Sequence, residues 1–212
     1  MELARDGILA SAGDAIGRVH FPHSGIISLV VTLAEGETIE VALIGRQSAL
    51  GICAALTGGP ALTGAVVRMP GSASTIDVEI LRAAAERDAP LRETLARHEQ
   101  ALFAQAQQAA ACNACHTVEA RLSRCLLRLR DLSDGDSLAI TQESLAQMLG
   151  VRRNSVSLVA HALQQANFIR TNRGTIEIVD LAGLVRSACE CYGAVKAHCD
   201  RLLGEAPRGP GA

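Results

Sequence analysis

The run L-A-I-T-Q-E-S-L-A-Q-M-L-G-V-R-R-N-S-V, Leu138 to Val156, decides how the chain is read. Leu138-Ala139-Ile140 reads as a short strand. Thr141 is a good helix N-cap, because its hydroxyl can accept from an unpaired amide of the first turn. Glu143 suits the positive end of the helix that follows. That helix carries Leu145, Ala146, Met148 and Leu149 and stops at Gly150, which tolerates the left-handed backbone of a tight turn. A second helix is predicted from about Arg152, with Val156, Val159 and Leu163 facing inward. Ala146 lies four residues before the glycine, where a small side chain lets two helices cross closely. Val156 lies six after it and can plug the crossing. Leu145, Leu149, Val151 and Val159 complete a small core. This is helix-turn-helix spacing.

A wing follows. Phe168-Ile169-Arg170-Thr171 and Thr175-Ile176-Glu177-Ile178-Val179 alternate as strands, and Asn172-Arg173-Gly174 supplies the turn between them. From Gly150 to Ile176 there are four arginines, Arg152, Arg153, Arg170 and Arg173, and no Asp or Glu. The whole chain carries a formal charge of −2, so a surface for a polyanion has to be local, and this window supplies one. Arg152, Arg153, Asn154, Ser155 and Ser157 stand at the start of the second helix, the end that enters the major groove in such motifs. Arg can bond guanine and Asn adenine, each good bidentate pair discriminating by about 1–3 kcal/mol. Arg170 and Arg173 would hold phosphates and position the domain. The competing reading makes these arginines ornaments of a solvated face.

Outward from this segment the pattern changes twice. Residues 1 to about 77 are rich in β-branched residues and punctuated by Gly and Pro. Ile26 to Leu33 is one strand-like run, Glu35-Gly36-Glu37 a turn, and Thr38 to Ile44 a second strand with Ile39, Val41 and Leu43 on one face. Gly58-Gly59-Pro60 is another turn and Ala65 to Met69 another strand. Short strands at this spacing predict a β-sandwich or barrel. From Val78 to Arg130 the pattern is helical. Asp77 caps a short helix, and Asp88-Ala89-Pro90 starts a long one. Leu91, Leu95, His98, Leu102, Gln105, Ala109 and Cys112 recur along it at spacings of three and four. Small residues dominate the later half of that stripe, which suits either a dimer seam or packing on the helix's own domain. Val118, Leu122, Leu126 and Leu129 mark a further amphipathic helix. Ser133-Asp134-Gly135-Asp136 is a polar loop, and the last eight residues look frayed.

Composition excludes several classes. Apolar residues make up 49 % of the 212, ample for cores, but aromatics are only 2 %, with no Trp. That argues against binding single strands or RNA by stacking. No signal peptide is visible, and the longest apolar runs, such as Ile26 to Ala34, are too short to span a bilayer. The expectation is a cytoplasmic protein with no membrane association. Its seven cysteines are then reduced, and an odd number fits poorly with a disulfide framework. There is no phosphate loop, nucleophile elbow or H-E-x-x-H, so neither enzyme activity nor a cofactor is assigned.

Cys112-Asn113-Ala114-Cys115-His116 has C-x-x-C-H haem-attachment spacing. That chemistry needs an export signal, which is not seen. Cys112, Cys115 and His116 share a helical face, which leaves a metal or redox role open, but no fourth ligand is evident nearby. Burial of small apolar thiols is the simpler reading. Cys189, Cys191 and Cys199 accompany His198 in a helical tail, where Cys189 and Cys191 would diverge on a helix.

On these residues the chain resembles the Crp/Fnr superfamily of bacterial transcription regulators. The resemblance rests on Leu138 to Val156, on F-I-R-T-N-R-G-T-I-E-I (Phe168 to Ile178), on V-E-A-R-L-S-R-C-L-L-R-L (Val118 to Leu129) and on H-F-P-H-S-G-I-I-S (His20 to Ser28). It implies an α+β chain with an N-terminal β-roll (jelly-roll) sensor of the cyclic-nucleotide-binding type, residues 1–88. A dimerisation helix, 89–115, and a winged helix-turn-helix domain, 116–204, follow. It also implies a homodimer on a near-palindromic operator in double-stranded DNA, with RNA polymerase as a further partner. Arg153 matches an Arg that contacts DNA in the family.

Departures from the family pattern are specific. Members that bind cyclic AMP hold it with a Gly-Glu pair and an Arg-Ser or Arg-Thr pair, and the corresponding positions here are Gly51-Ile52 and Leu62-Thr63. A buried phosphate without a cation would be costly, so this roll is not expected to bind cyclic AMP in that way. The front is also short by family standards, as in an incomplete roll or a misplaced start codon. The acidic residue that usually follows Arg153 is Asn154, and a second DNA-contacting Arg is replaced by Leu158. The alternative function is a small-molecule or thiol-redox sensing module whose helix-turn-helix contacts protein.

Overall fold

The computed structural model describes residues 1–133 and 135–204. Asp134, in the predicted polar loop, and residues 205–212, read as frayed, lie outside the described residues. The front of the chain builds a roll from β1 (Glu2–Leu3), β2 (Ile8–Ala10), β3 (Arg18–Pro22), β4 (Ile26–Thr32), β5 (Thr38–Ile44), β6 (Gly64–Met69) and β7 (Gly71–Asp77). The strands pair antiparallel in two sheets, β1-β7-β3 and β2-β6-β4-β5. Pro70 alone separates β6 from β7, so the chain passes from one sheet to the other at a residue that has no amide hydrogen to pair. Ile27, Ala42, Ile44, Val67 and Ala73 fill the space between the sheets.

One element was not anticipated. A short helix, α1 (Ile52–Thr57), follows β5. It has no side-chain cap, and Gly51 enters it in the left-handed region, so the usual start signal is missing. Ile52, Ala54 and Ala55 pack it against α2 (Val78–Arg87) in a second cluster that closes one end of the roll. The three helix starts that follow it have the expected chemistry. The carboxylate of Asp77 accepts from the Glu79 amide at the head of α2. That of Asp88 accepts from Leu91 at the head of α3 (Ala89–Cys115), with Pro90 in its first turn. Thr117 caps α4 (Val118–Leu132) through the Ala120 amide. Each such cap is worth about 1 kcal/mol.

The predicted stripe on α3 is buried within the chain. Leu95, Leu102, Ala109 and Cys112 face the roll, β5 and the final helix, α8 (Cys191–Leu203). These residues therefore cannot serve as a seam between two copies, and of the two readings of that stripe the intramolecular one holds. The opposite face of α3 stays exposed.

The C-terminal head comprises α4, β8 (Ser137–Leu138), α5 (Gln142–Leu149), α6 (Arg153–Gln165), β9 (Ile169–Asn172), β10 (Thr175–Ile178), α7 (Leu181–Ser187) and α8. Its core holds Leu122, Leu126, Leu129, Leu145, Leu149, Val156 and Leu163, and continues into the roll through Ile26, Leu43 and Met69. Full burial of each large aliphatic side chain stabilises by about 1.5–3 kcal/mol. β5 serves both cores: Ala42 and Ile44 point into the roll, while Leu43 joins the leucines of α4.

Candidate nucleic-acid interface

α5 and α6 cross at Gly150. Thr141 caps α5 through the Ser144 amide, and Gly150 ends it at φ 59°, ψ 42°. Glycine is required there twice. Its backbone is left-handed, and a Cβ would lie 2.7 Å from Cγ1 of Ile39 on β5. Ala146 and Val156 are buried at the crossing, as the spacing predicted.

Arg152 stands immediately before α6, and Arg153 and Asn154 are exposed on its first turn. Ser155 and Ser157 are half-buried. The Ser157 hydroxyl donates to Oε1 of Gln142 at 2.7 Å, tying the first turns of α6 back to α5. Nε of Arg153 lies 3.7 Å from Oε2 of Glu143. The outer face continues through Leu158, 73 % exposed, and His161.

The wing is a hairpin with Asn172 opposite Thr175, Arg173-Gly174 between them, and Gly174 alone at positive φ, 76°. β8 pairs along its far side. The amide and hydroxyl of Thr171 both donate to Oε1 of Gln164, at 2.9 and 2.6 Å, which ties the wing to α6. Arg173 is exposed at the tip. Arg170 is exposed too, but its guanidinium donates to Oε2 of Glu177 at 2.9 Å. The acid-free window stops one residue short of that carboxylate, and the hairpin register sets Glu177 directly opposite Arg170. Counting back across the turn would have found it. Gln142 and Gln164 carried no sequence signal, because their roles depend on what folds against them.

The N-terminal end of α6 also borders the roll. An open groove of about 860 Å³ runs between the β4–β5 hairpin, which carries Glu35 and Glu37, and the turn around Gly150, with Arg152 and Arg153 on its wall. Arg68 on β6 donates to Oε1 of Gln147 on α5 at 2.9 Å and bridges the two halves.

Of the two residues that the family resemblance sets against nucleotide-gripping positions, Ile52 is only 1 % exposed and belongs to the core, while Leu62 is 79 % exposed. Neither brings a charge. The C-x-x-C-H run does not converge either, since Cys112 is buried and Cys115 exposed. Two expectations about the thiols are corrected. Cys189 precedes α8 in a non-helical linker and Cys191 opens the helix, so the two do not diverge. Both turn toward Cys112 and His116, which supplies the further ligands that sequence proximity did not reveal. Burial pushes the Cys112 thiol up to about 12.

A β-roll joined by one long helix to a winged helix-turn-helix with an exposed cationic reading end defines a class, the DNA-binding transcription regulators with an attached sensor domain. Family models agree: residues 1–88 match the cyclic nucleotide-binding domain and 120–187 the Crp-like helix-turn-helix domain. The chain belongs to the Crp/Fnr family of transcriptional regulators.

Solved structures share the fold. A CRP-family regulator from Thermus thermophilus superposes with a TM-score of 0.74 at 22 % identity, over 89 % of this chain and 96 % of that one. FixK2 from Bradyrhizobium japonicum gives 0.77 at 16 %, over 89 % and 96 %. A c-di-GMP responsive global regulator, CLP from Xanthomonas campestris, gives 0.66 at 16 %, over 84 % and 92 %. Among curated proteins none matches. No helix among the described residues is long and apolar enough to cross a membrane.

Proposed function

We propose that the chain acts in the cytoplasm as a homodimer on a near-palindromic operator, with residues 1–88 as sensor, 89–115 as dimerisation helix and 116–204 as the reading head. Arg152, Arg153, Asn154, Ser155 and Ser157 meet the major groove, and Arg170 and Arg173 meet phosphates. The observation that carries this is the exposed N-terminal end of α6, with two arginines and Asn154 on a helix locked to α5 and to the wing. Leu158, apolar and outward-facing, suits the methyl group of thymine. RNA polymerase is the further partner such a regulator would engage. Two heads would sit about 34 Å apart along the duplex. In mobility-shift experiments on the gene's own upstream region, the protein is expected to form a discrete complex that weakens steeply with salt. A salt-insensitive complex, or none, overturns the reading in favour of a head that contacts protein.

The dimer seam falls on the exposed face of α3. Ala96, Gln100, Phe103, Gln107, Ala110 and Ala114 repeat there at alternating spacings of four and three, and Phe103 is 65 % exposed. This is a heptad stripe whose small residues let two helices approach closely. Phe103→Glu sets two carboxylates against each other in that seam and is expected to weaken self-association at least ~100-fold in sedimentation equilibrium, about 3 kcal/mol. Unchanged association would place the interface elsewhere.

The sensor lacks the carboxylate and the guanidinium that would grip a cyclic nucleotide, because Ile52 is committed to the core and Leu62 carries no charge. The roll is therefore read as responding to something other than cyclic AMP held in that manner.

A further inference from the structure

Cys112 lies in the last turn of α3 and His116 caps that helix, while Cys189 sits in the linker after α7 and Cys191 opens α8. Their ligand atoms all lie within 4.8 Å of one another. Sγ of Cys112 is 3.5 Å from Sγ of Cys189, and Sγ of Cys191 is 3.6 Å from Nδ1 of His116. We propose that these four side chains form a binding site for one tetrahedral, thiolate-preferring divalent metal ion, with zinc as the first choice.

Geometry and chemistry agree on this. Zinc–sulfur bonds of about 2.3 Å place the ligands of one tetrahedron about 3.8 Å apart, close to the spacings found here. Three sulfurs and one imidazole are a soft donor set that selects zinc-like ions over magnesium or calcium. An iron–sulfur cluster ligates through different irons and needs its thiolates further apart.

The surroundings of the four groups are also those of a metal site. Nε2 of His116 faces Oε1 of Glu190 at 3.2 Å, which fixes the ring with Nδ1 toward the sulfurs, as the outer carboxylate does for metal-bound histidines. Nε2 of Gln108 donates to Sγ of Cys191 at 3.0 Å. Three thiolates around a divalent ion leave one net negative charge. Arg124 of α4, half-buried, lies within electrostatic reach of Cys112 and Cys189, and its Nε lacks a hydrogen-bond partner among the described residues. On binding, three S–H protons leave to solvent as three sulfur–metal bonds form, and the imidazole contributes a nitrogen lone pair. Burial of inert thiols explains the sulfurs but not the oriented imidazole. A Cys112–Cys189 disulfide leaves Cys191 and His116 unused.

The ion would cross-link the end of α3 to the linker between α7 and α8. It would thereby fix the joint through which the reading head hangs from the long helix. From the same joint Arg121 of α4 donates to the carbonyl of Leu149, the last residue before the helix-turn-helix glycine. This consequence rests on the DNA-binding reading, whereas the metal site does not.

Metal analysis of the full-length protein purified from zinc-supplemented medium is expected to find one zinc per chain. Cobalt(II) added to the chelator-stripped protein is expected to give the intense visible bands and thiolate charge-transfer band of a tetrahedral sulfur site. Cys191→Ser and Cys112→Ser should lose stoichiometric zinc, while Cys115→Ser, altered at the exposed neighbour, should keep it. Glu190→Gln should retain the cobalt spectrum with affinity lowered about 10- to 100-fold. A folded wild-type protein that takes up no zinc or cobalt overturns the proposal. So does an iron–sulfur chromophore, a Cys112–Cys189 disulfide in freshly extracted protein, or equal loss of metal in Cys115→Ser. Mobility shifts with and without chelator then test the joint: a metal-loaded protein whose operator affinity ignores the ion retires that consequence and leaves the site standing.

Discussion

Arg153→Ala is expected to weaken operator binding by about 30-fold to 10⁴-fold, because each of two heads in the proposed dimer gives up a base interaction worth about 1–3 kcal/mol. Arg153 is the exposed cation on the first turn of α6, with the carboxylate of Glu143 at 3.7 Å. The loss should concentrate on particular bases of each half-site, so a binding-site selection with the variant should relax at those positions. Arg173→Ala acts differently. Without one phosphate partner per head, the salt dependence should flatten by about two counterions and affinity should drop for all sequences alike. Arg170→Ala should do less, since Glu177 already holds that guanidinium at 2.9 Å, and Glu177→Gln should strengthen binding. Fluorescence anisotropy on an operator duplex at several salt concentrations reads all four. An Arg153→Ala protein that binds like wild type would remove the reading head from α6.

Glu40→Gln is expected to stabilise the protein at pH 8 by up to about 3 kcal/mol and to make no difference near pH 4. Glu40 lies on β5 where the roll meets α4. Enclosure of its carboxylate lifts it to about 7, against the hydrogen bond from the Ser28 hydroxyl and the pull of Arg124, Arg68 and Arg128. The unfolded chain titrates near the ordinary value of 4.5. Between these values the native state binds more protons than the unfolded one, so stability falls as pH rises through the window and stays lower above 7. Removing the charge removes that fall. Urea unfolding at pH 5 and pH 8 measures it, and a variant destabilised most at high pH would show that the arginines outweigh the desolvation.

The joint between the two halves is where local pattern was least informative. In Thr38 to Ile44 the alternation was plain, but not that both faces are buried against different partners. Ile39 touches the helix-turn-helix glycine while Ile44 points into the roll. On α3 the aliphatic stripe is the one packed at home, and the more polar stripe through Phe103 is the one left outside. Hydrophobicity along a helix marks what is buried, not which partner buries it.

From local chemistry alone, the sequence determined the helix-turn-helix, its caps, its glycine and the hairpin behind it, because each depends on residues within a turn or two of one another. The same holds for the exposed, cationic start of α6. Tertiary structure decided the rest: that Gln142 and Gln164 brace the head, and that Cys112 and His116 meet Cys189 and Cys191. The meeting of the thiols with the imidazole joins residues far apart in the chain, and its distances follow from how the helices pack rather than from any spacing along it.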